Sequence, residues 1–176
     1  RLDLYEVDGS GLASGPTVVA SAGATPFGFG FDNKDHLIVS EAFGGAPDAS
    51  AVSSYRLSAG GLETVSASVP TTETAACWIA VTENGKFAYA GNAGTASVTG
   101  YRVAVDGSLE ILDGDGKTAS AAAGVTDLAV SRDSRFLYGR LGNQTVGAWS
   151  IAADGSLGDL GAVPGLPAGA AGIAAA

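Results

Sequence analysis

Three carboxylates, an indole and a thiol lie beside apolar segments of this sequence, and these groups have the chemistry to serve a binding site. Glu41 follows the apolar run LIVS, and Glu73 lies shortly before Cys77 and Trp78. Asp127 begins a similar apolar segment, 49 residues after Trp78. A carboxylate can act as a general base or accept hydrogen bonds from hydroxyls, and an indole can stack on a ring. These residue types suit a small polar ligand.

The elements that carry these residues repeat about every 48 residues. Asn84-Gly85, Asp106-Gly107 and Asp154-Gly155 are strong hairpin turns between short apolar segments, and Ala59-Gly60-Gly61 replaces one of them. A repeat of this length, built from short strands, is typical of a propeller blade with four antiparallel strands, a to d. Two landmarks keep the period, an aromatic at Tyr5, Tyr55, Tyr101 and Trp149 and a leucine at Leu12, Leu62, Leu109 and Leu157.

The strand count predicts an all-β protein, a β-propeller of which this chain forms about half a ring. Complete blades are expected over residues 27–69, 77–115 and 125–163. Strands c and d of another blade are expected over 1–22, and a single strand a over 172–176. An open ring leaves strand edges bare. We therefore expect the remaining half of the propeller, an N-terminal segment, to complete the ring rather than a second copy of this chain.

The composition excludes several classes of partner. A net charge of −9 and a pI near 4.3 argue against nucleic acid and anionic membranes, which need a basic footprint. No apolar run approaches the 18 or so residues of a membrane span. One Cys and one His cannot form a zinc site, and Gly116-Lys117-Thr118 lacks the spacing of a phosphate-binding loop. We expect no metal and no cofactor.

Four phrases follow one another along the chain: SAGATPFGFGFD, FGGAPDASAVSSYRL, TAACWIAVTENGKFAYAGNAG and GLPAGAAGIAAA. Together they resemble the C-terminal half of bacterial seven-bladed propellers of the lactonase family, which includes 6-phosphogluconolactonase-like proteins. The resemblance covers essentially the whole chain and implies hydrolysis of a small sugar-like lactone.

Characterised members of that family carry an Arg-His pair at the start of a strand a, and a Glu follows the neighbouring strand b. None of the matching pairs here is Arg-His: they are Phe27-Gly28, Cys77-Trp78, Thr126-Asp127 and Ala171-Gly172. The Arg-His pair therefore either lies in the other half of the ring or is absent from the protein.

In a propeller the b–c and d–a connections gather on one face around the mouth of the central channel, here called the mouth face. His36, the single histidine, falls in an a–b turn and is expected on the opposite face, away from a ligand. The b–c loop after Glu41 is longer than its equivalents, so it forms either a lid or wall at the mouth or a surface insertion.

The mouth face holds the candidate site residues, and each has a second interpretation. Trp78 either binds a ligand or packs between blades, and Asp127 either binds it or caps the turn before its strand. Cys77 has no histidine beside it and is expected to be a buried structural thiol. Glu41 and Glu73 are either functional carboxylates or solvated loop charges. The catalytic candidates are Glu41 and Asp127, and the ligand-binding candidates are Trp78, Asp127, Cys77 and Glu73.

Two functions remain open from the sequence. The first is a lactonase-type hydrolase that acts on a small sugar-like lactone at the channel mouth. The second is a non-catalytic propeller that serves as a binding or scaffolding module. A fold shared by many activities does not decide between them.

Overall fold

The computed structural model describes residues 1–58 and 60–176, and in these ranges the chain forms a partial β-propeller of antiparallel sheets. The predicted all-β class is confirmed. Ala59, in the predicted turn Ala59-Gly60-Gly61, lies outside the described residues. Within them a 3-10 turn, Phe43–Gly45, is the one helical segment, and no helix is long and apolar enough to cross a bilayer.

Four sheets follow one another along the chain, each with its strands paired in sequence order. The first pairs β1 (Leu2–Val7) with β2 (Ala13–Val19). Blade 1 contains β3 (Pro26–Phe31), β4 (His36–Glu41), β5 (Ala51–Ser58) and β6 (Gly61–Pro70). Blade 2 contains β7 (Ala76–Val81), β8 (Phe87–Asn92), β9 (Ser97–Val103) and β10 (Leu109–Ile111), with β11 (Ala119–Ser120) also paired with β9. Blade 3 contains β12 (Val125–Val130), β13 (Phe136–Leu141), β14 (Thr145–Ile151) and β15 (Leu157–Pro164).

The Asp-Gly pairs make the hairpin turns that the sequence predicts. Gly107 and Gly155 have φ values of +87° and +96°, in the left-handed region that glycine adopts without strain. In the first of these turns the Asp106 carboxylate accepts hydrogen bonds from the backbone N–H and the hydroxyl of Ser108. The turn residues therefore determine where strands c and d meet.

The outer strand of blade 2 differs from the prediction that the blade ends at residue 115. It consists of two pieces, β10 and β11, and continues to Ser120. The residues between them form a loop whose backbone carbonyls are bound, Asp115 O by the Thr72 hydroxyl at 2.7 Å and Gly116 O by the Thr99 hydroxyl at 2.6 Å. These bonds hold the loop against the sheet, so the outer strand resumes after it.

The strand expected over 172–176 is not formed. A strand needs a hydrogen-bonded neighbour, and the described residues include no further strand that pairs with this segment. The segment nevertheless lies beside blade 3, because the Ile173 N–H donates to Asp127 Oδ2 at 2.8 Å.

Two faces of the sheet array are distinct, as predicted. On the mouth face the b–c loops bond to the d–a connections, as when Ala93 N–H donates to Ala75 O at 3.0 Å. On the opposite face Arg56 donates to Asp106 O, and Arg102 donates to Asp154 O, each at 3.1 Å. These two bonds are the same contact repeated in successive blades.

The apolar core lies between the sheets. Tyr101 packs with residues of blades 1 and 2, and Trp149 packs with residues of blades 2 and 3. Tyr55 is also fully buried, so the predicted packing of the repeated aromatic is confirmed for these three. It is wrong for Tyr5, which is 56% exposed, because the described residues hold no blade before β1 to cover it as Ile38 and Val52 of blade 1 cover Tyr101.

Candidate functional site

The innermost strand of each blade positions the candidate residues at the mouth, where β7 packs between β3 and β12. Trp78 pairs with Gly91 and Asp127 pairs with Arg140, each just after a bulge in the register. The predicted equivalence of Trp78 and Asp127 in successive blades is therefore correct. The two side chains differ sharply in exposure, and that decides what each can do.

Trp78 presents an aromatic surface at this end of the inner strands. Its side chain is 37% exposed, and its ring lies edge-on to Phe27 with the centroids 5.6 Å apart at an interplanar angle of 83°. Phe27 is itself 55% exposed. Aromatic side chains that are packed on one side and open on the other can take the apolar face of a ring. The geometry therefore suits a ligand that stacks.

Asp127 is buried, and both of its carboxylate oxygens already accept hydrogen bonds. Oδ1 accepts the N–H of Leu128, and Oδ2 accepts the N–H of Ile173, both at 2.8 Å. This carboxylate thus holds the start of its own strand and the C-terminal segment, which is closer to the capping interpretation than to ligand binding.

Arg140 is a polar residue of this region that the sequence analysis missed. Its Nη1 donates to the Thr126 hydroxyl at 2.7 Å, and that hydroxyl donates to Arg140 O at 3.0 Å. Its buried Nε has no hydrogen-bond partner within the described residues. The signal was a departure from the repeat, since the equivalent positions on strands b are Ser40 and Gly91.

Glu41 is the centre of a buried hydrogen-bond network, so its interpretation as a solvated loop charge is wrong. The side chain is 0% exposed. Its Oε1 accepts from Gly23 N–H and the Ser53 hydroxyl, both at 2.7 Å, and from the Ser21 hydroxyl at 3.2 Å. Its Oε2 accepts from the Ser68 hydroxyl at 2.7 Å. The carboxylate therefore joins the connection before β3 to strands c and d of blade 1.

Glu73 has a similar role in blade 2, and the solvated interpretation is wrong for it also. It is 5% exposed, and its Oε2 accepts from the Ser97 hydroxyl at 2.7 Å. Lys117 Nζ lies 3.8 Å from Oε1. Both glutamates thus join a d–a connection to the following blade, which is an architectural role.

Cys77 is partly buried beside Trp78, and burial raises the pKa of its thiol above the ordinary value. The Cys77 carbonyl accepts from the Ser40 hydroxyl at 3.0 Å, which fixes the start of strand a. A thiol whose ionised form is disfavoured is a poor nucleophile near neutral pH. The structural interpretation of this residue is favoured.

We therefore expect Cys77 to react slowly with a thiol reagent. At pH 8 the folded chain should consume iodoacetamide about ten times more slowly than free cysteine, because the reactive thiolate is scarce and partly covered. Labelling followed by mass spectrometry measures the rate, and the urea-unfolded chain is the control. A folded-state rate equal to the unfolded one would contradict the raised pKa.

His36 lies on the opposite face, as predicted, and is buried there against Asp32. The ring Nδ1 and Asp32 Oδ2 are 2.8 Å apart, and the N–H of His36 donates to Asp32 Oδ1 at 2.9 Å. Burial acts to raise the pKa of Asp32, but the hydrogen bonds from His36 and from Lys34 N–H outweigh it, and the pKa lies below its usual value. The pair stabilises an a–b turn.

The lowered pKa of Asp32 predicts a pH-dependent contribution to stability. The contribution is complete above the unfolded-state pKa of 3.8 and is lost as the pH falls through the lower folded-state pKa. Asp32→Asn should thus destabilise the chain by about 1–3 kcal/mol at pH 7 and by less below pH 3.8. Urea titrations at several pH values measure the difference. A penalty that is independent of pH would show that the charge of Asp32 has no part in it.

The long b–c loop of blade 1 is bonded to connections of the mouth face, and both interpretations drawn from the sequence, a lid or wall and a surface insertion, stay open. Gly44 N–H donates to the Thr25 hydroxyl at 3.0 Å, and Asp48 N–H donates to the Thr74 hydroxyl at 2.9 Å. The loop is therefore attached to two successive d–a connections. Elsewhere in the described ranges no three His, Cys, Asp or Glu side chains are grouped to hold a metal ion.

No protein-family model matches this sequence, and no curated protein matches it. Solved structures do. A "putative 6-phosphogluconolactonase" from Bacteroides uniformis is 16% identical with a TM-score of 0.73 over 93% of this chain and 51% of its own. A periplasmic gluconolactonase from Pseudomonas aeruginosa is 20% identical with a TM-score of 0.57 over 96% and 65%. An auxiliary nutrient binding protein from Bacteroides ovatus is 16% identical with a TM-score of 0.63 over 92% and 36%.

These likenesses show a β-propeller fold and, at such low identities, nothing beyond the fold. The chain spans about half the length of the Bacteroides uniformis protein and less than two thirds of each of the other two. Activity, substrate and partners of a whole protein of this kind are therefore matters for proposal.

Proposed function

We propose that this chain is part of a lactonase-like propeller that binds a small sugar-like lactone at the channel mouth and, in the completed ring, hydrolyses it. The observation that carries the proposal is the exposed Trp78 indole, packed edge-on against Phe27 at the mouth end of adjacent inner strands. Solved neighbours of the same fold bear the names of lactonases, which supports this choice of ligand.

In this proposal the chain contributes binding rather than acid–base catalysis. Lactone hydrolysis adds water to the ring carbonyl, the bond to the ring oxygen breaks, and that oxygen leaves as a hydroxyl after receiving a proton. The base that removes a proton from the water must have an oxygen that the water can reach. Glu41 and Asp127 are buried and hold backbone and hydroxyl donors of the fold, so in this proposal the base belongs to the other half of the ring.

The residues of this chain orient the ligand instead. Trp78 takes the apolar face of the lactone ring, and the loop bonded to Thr25 and Thr74 walls the mouth beside it. Arg140 lies on β13, paired with Asp127 of β12, the inner strand beside β7, and we assign its guanidinium to the ring hydroxyls or the carboxylate product. The mouth thus combines one stacking surface with one donor.

The test uses the completed propeller and two probes, glucono-δ-lactone and its product gluconate. Isothermal titration calorimetry measures the binding of each probe to the completed ring and to each variant. Replacing Trp78 by Ala should weaken binding about tenfold or more, since loss of a stacking surface is worth roughly 1.4 kcal/mol or above. Arg56→Ala, on the opposite face, is the matched control and should bind normally. Equal affinity of the Trp78 and Arg56 variants would refute this site.

The second candidate function is a non-catalytic binding module. It is favoured by the observation that Glu41 and Asp127 serve the architecture, and one solved neighbour is named a nutrient binding protein. Acid release in a pH-stat separates the two functions. Binding at Trp78 with no acceleration over the spontaneous opening of glucono-δ-lactone indicates the binding module.

A further inference from the structure

A large groove separates the β1–β2 hairpin from blade 1. Its volume is about 960 Å³, and β1 lines one wall while strands a and b of blade 1 line the other. Its lining includes the apolar side chains of Leu2, Tyr5, Phe29, Phe31 and Val39, with the charged residues Arg1, Asp3 and Glu6 in or next to β1.

The wall formed by blade 1 is exposed at a position that the other blades bury. Phe29 is 63% exposed, whereas its register equivalents Ile79 and Leu128 are each 6% exposed. Ile79 is covered by Ile38 of the preceding blade, which lies on that blade's strand b. The inner strands of a preceding blade are thus what normally covers this position.

The opposite wall also has an open strand edge. In blade 1, strand c pairs with strand b on one side and with strand d on the other. Within the described residues β1, which holds the place of strand c, pairs with β2 alone. Its second edge presents unpaired backbone N–H and C=O groups, and such an edge binds another strand readily.

We propose that this groove is the seat of two antiparallel β-strands supplied by a segment of the protein N-terminal to this sequence. The first would line the propeller axis against Phe29 and Phe31, and the second would pair with the free edge of β1. By analogy with β3 and β4, each strand is about six residues long and carries small or apolar side chains.

A second copy of this chain fits the groove less well. Residues 172–176 of a second copy, the predicted strand a, could supply one strand, and the groove needs two. Solved structures of similar fold are about twice as long as this chain, which agrees with further strands from the same polypeptide.

The test is complementation of the 176-residue chain by a synthetic hairpin that copies residues 26–41, the a and b strands of blade 1. Bound hairpin should protect the β1 amides from hydrogen exchange at least tenfold, because strand pairing removes them from water. Phe31→Asp in the 176-residue chain, with the hairpin unchanged, should abolish this protection. Val105→Asp, at a residue that is 80% exposed on a turn, is the matched control and should leave it unchanged.

Two further outcomes would overturn the proposal. Light scattering that shows a stable dimer with protected β1 amides would assign the groove to a second copy. A 17.2 kDa monomer that melts cooperatively and binds no hairpin would show that the groove needs no occupant. If the chain is unstable alone, recovery of a cooperative melt on co-expression with the hairpin, and its loss in Phe31→Asp, supports the proposal.

Discussion

Replacing Tyr101 by Ala is expected to lower the free energy of unfolding by about 3–5 kcal/mol, as truncation of a large buried aromatic does. Tyr101 is 0% exposed and packs between blades 1 and 2, against Ile38 and Val52 of one and Ala90 of the other. Its hydroxyl also donates to Val69 O at 3.1 Å. A urea titration of the 176-residue chain measures the loss.

Two variants separate the causes of this loss. Tyr101→Phe removes the hydrogen bond alone and should cost about 1 kcal/mol. Tyr5→Ala changes the same position of the repeat where the ring is 56% exposed, so it should cost less than about 1 kcal/mol. Equal penalties for Tyr5 and Tyr101 would show that burial between blades is not what stabilises the aromatic. If the two proposed N-terminal strands fill the groove, the loss of stability caused by Tyr5→Ala should be larger when those strands are bound.

The repeat carried most of the information about the fold. An aromatic and a turn glycine at fixed intervals place strands c and d in register, and Tyr55, Tyr101 and Gly107 occupy the expected places. The same periodicity identified Trp78 and Asp127 as equivalent positions on successive strands a. Repeated positions of a sequence are predictable because residues at the same point of each repeat occupy the same place in successive blades.

Features that break the repeat were not predictable in this way. The loop between β10 and β11 is held by the hydroxyls of Thr72 and Thr99, which lie far from it in sequence. Arg140 stands where the other blades have Ser40 and Gly91, so comparison of copies offered no partner for its guanidinium. Single substitutions and insertions have local causes that only the three-dimensional contacts reveal.

The burial of Glu41 is the clearest example of such a contact. Its partners come from the connection before β3, from β5 and from β6, so no short motif joins them. From the sequence a glutamate that ends a strand at a loop suggests a solvated charge. The hydroxyls of Ser53 and Ser68 lie on two strands that also hold other polar residues, so they did not mark Glu41 as their partner.

Glu41→Ala should therefore destabilise the chain by about 3–5 kcal/mol. Four donors lose their acceptor, each at a cost of about 1–3 kcal/mol, and the three hydroxyls recover part of it by turning towards other acceptors. Glu110→Ala, at an exposed glutamate of β10, is the matched control and should change stability by less than about 0.5 kcal/mol. Urea titration of both variants measures the difference.

Glu41→Gln distinguishes an architectural carboxylate from a catalytic one. The amide keeps the size of the side chain and one acceptor oxygen but presents a donor to the Ser68 hydroxyl, so the loss of stability should be about 1–2 kcal/mol. Hydrolysis of glucono-δ-lactone by the completed ring should persist in this variant, because a buried carboxylate with four donors does not reach the lactone. Normal stability with abolished hydrolysis would instead identify Glu41 as the base and place the chemistry within this chain.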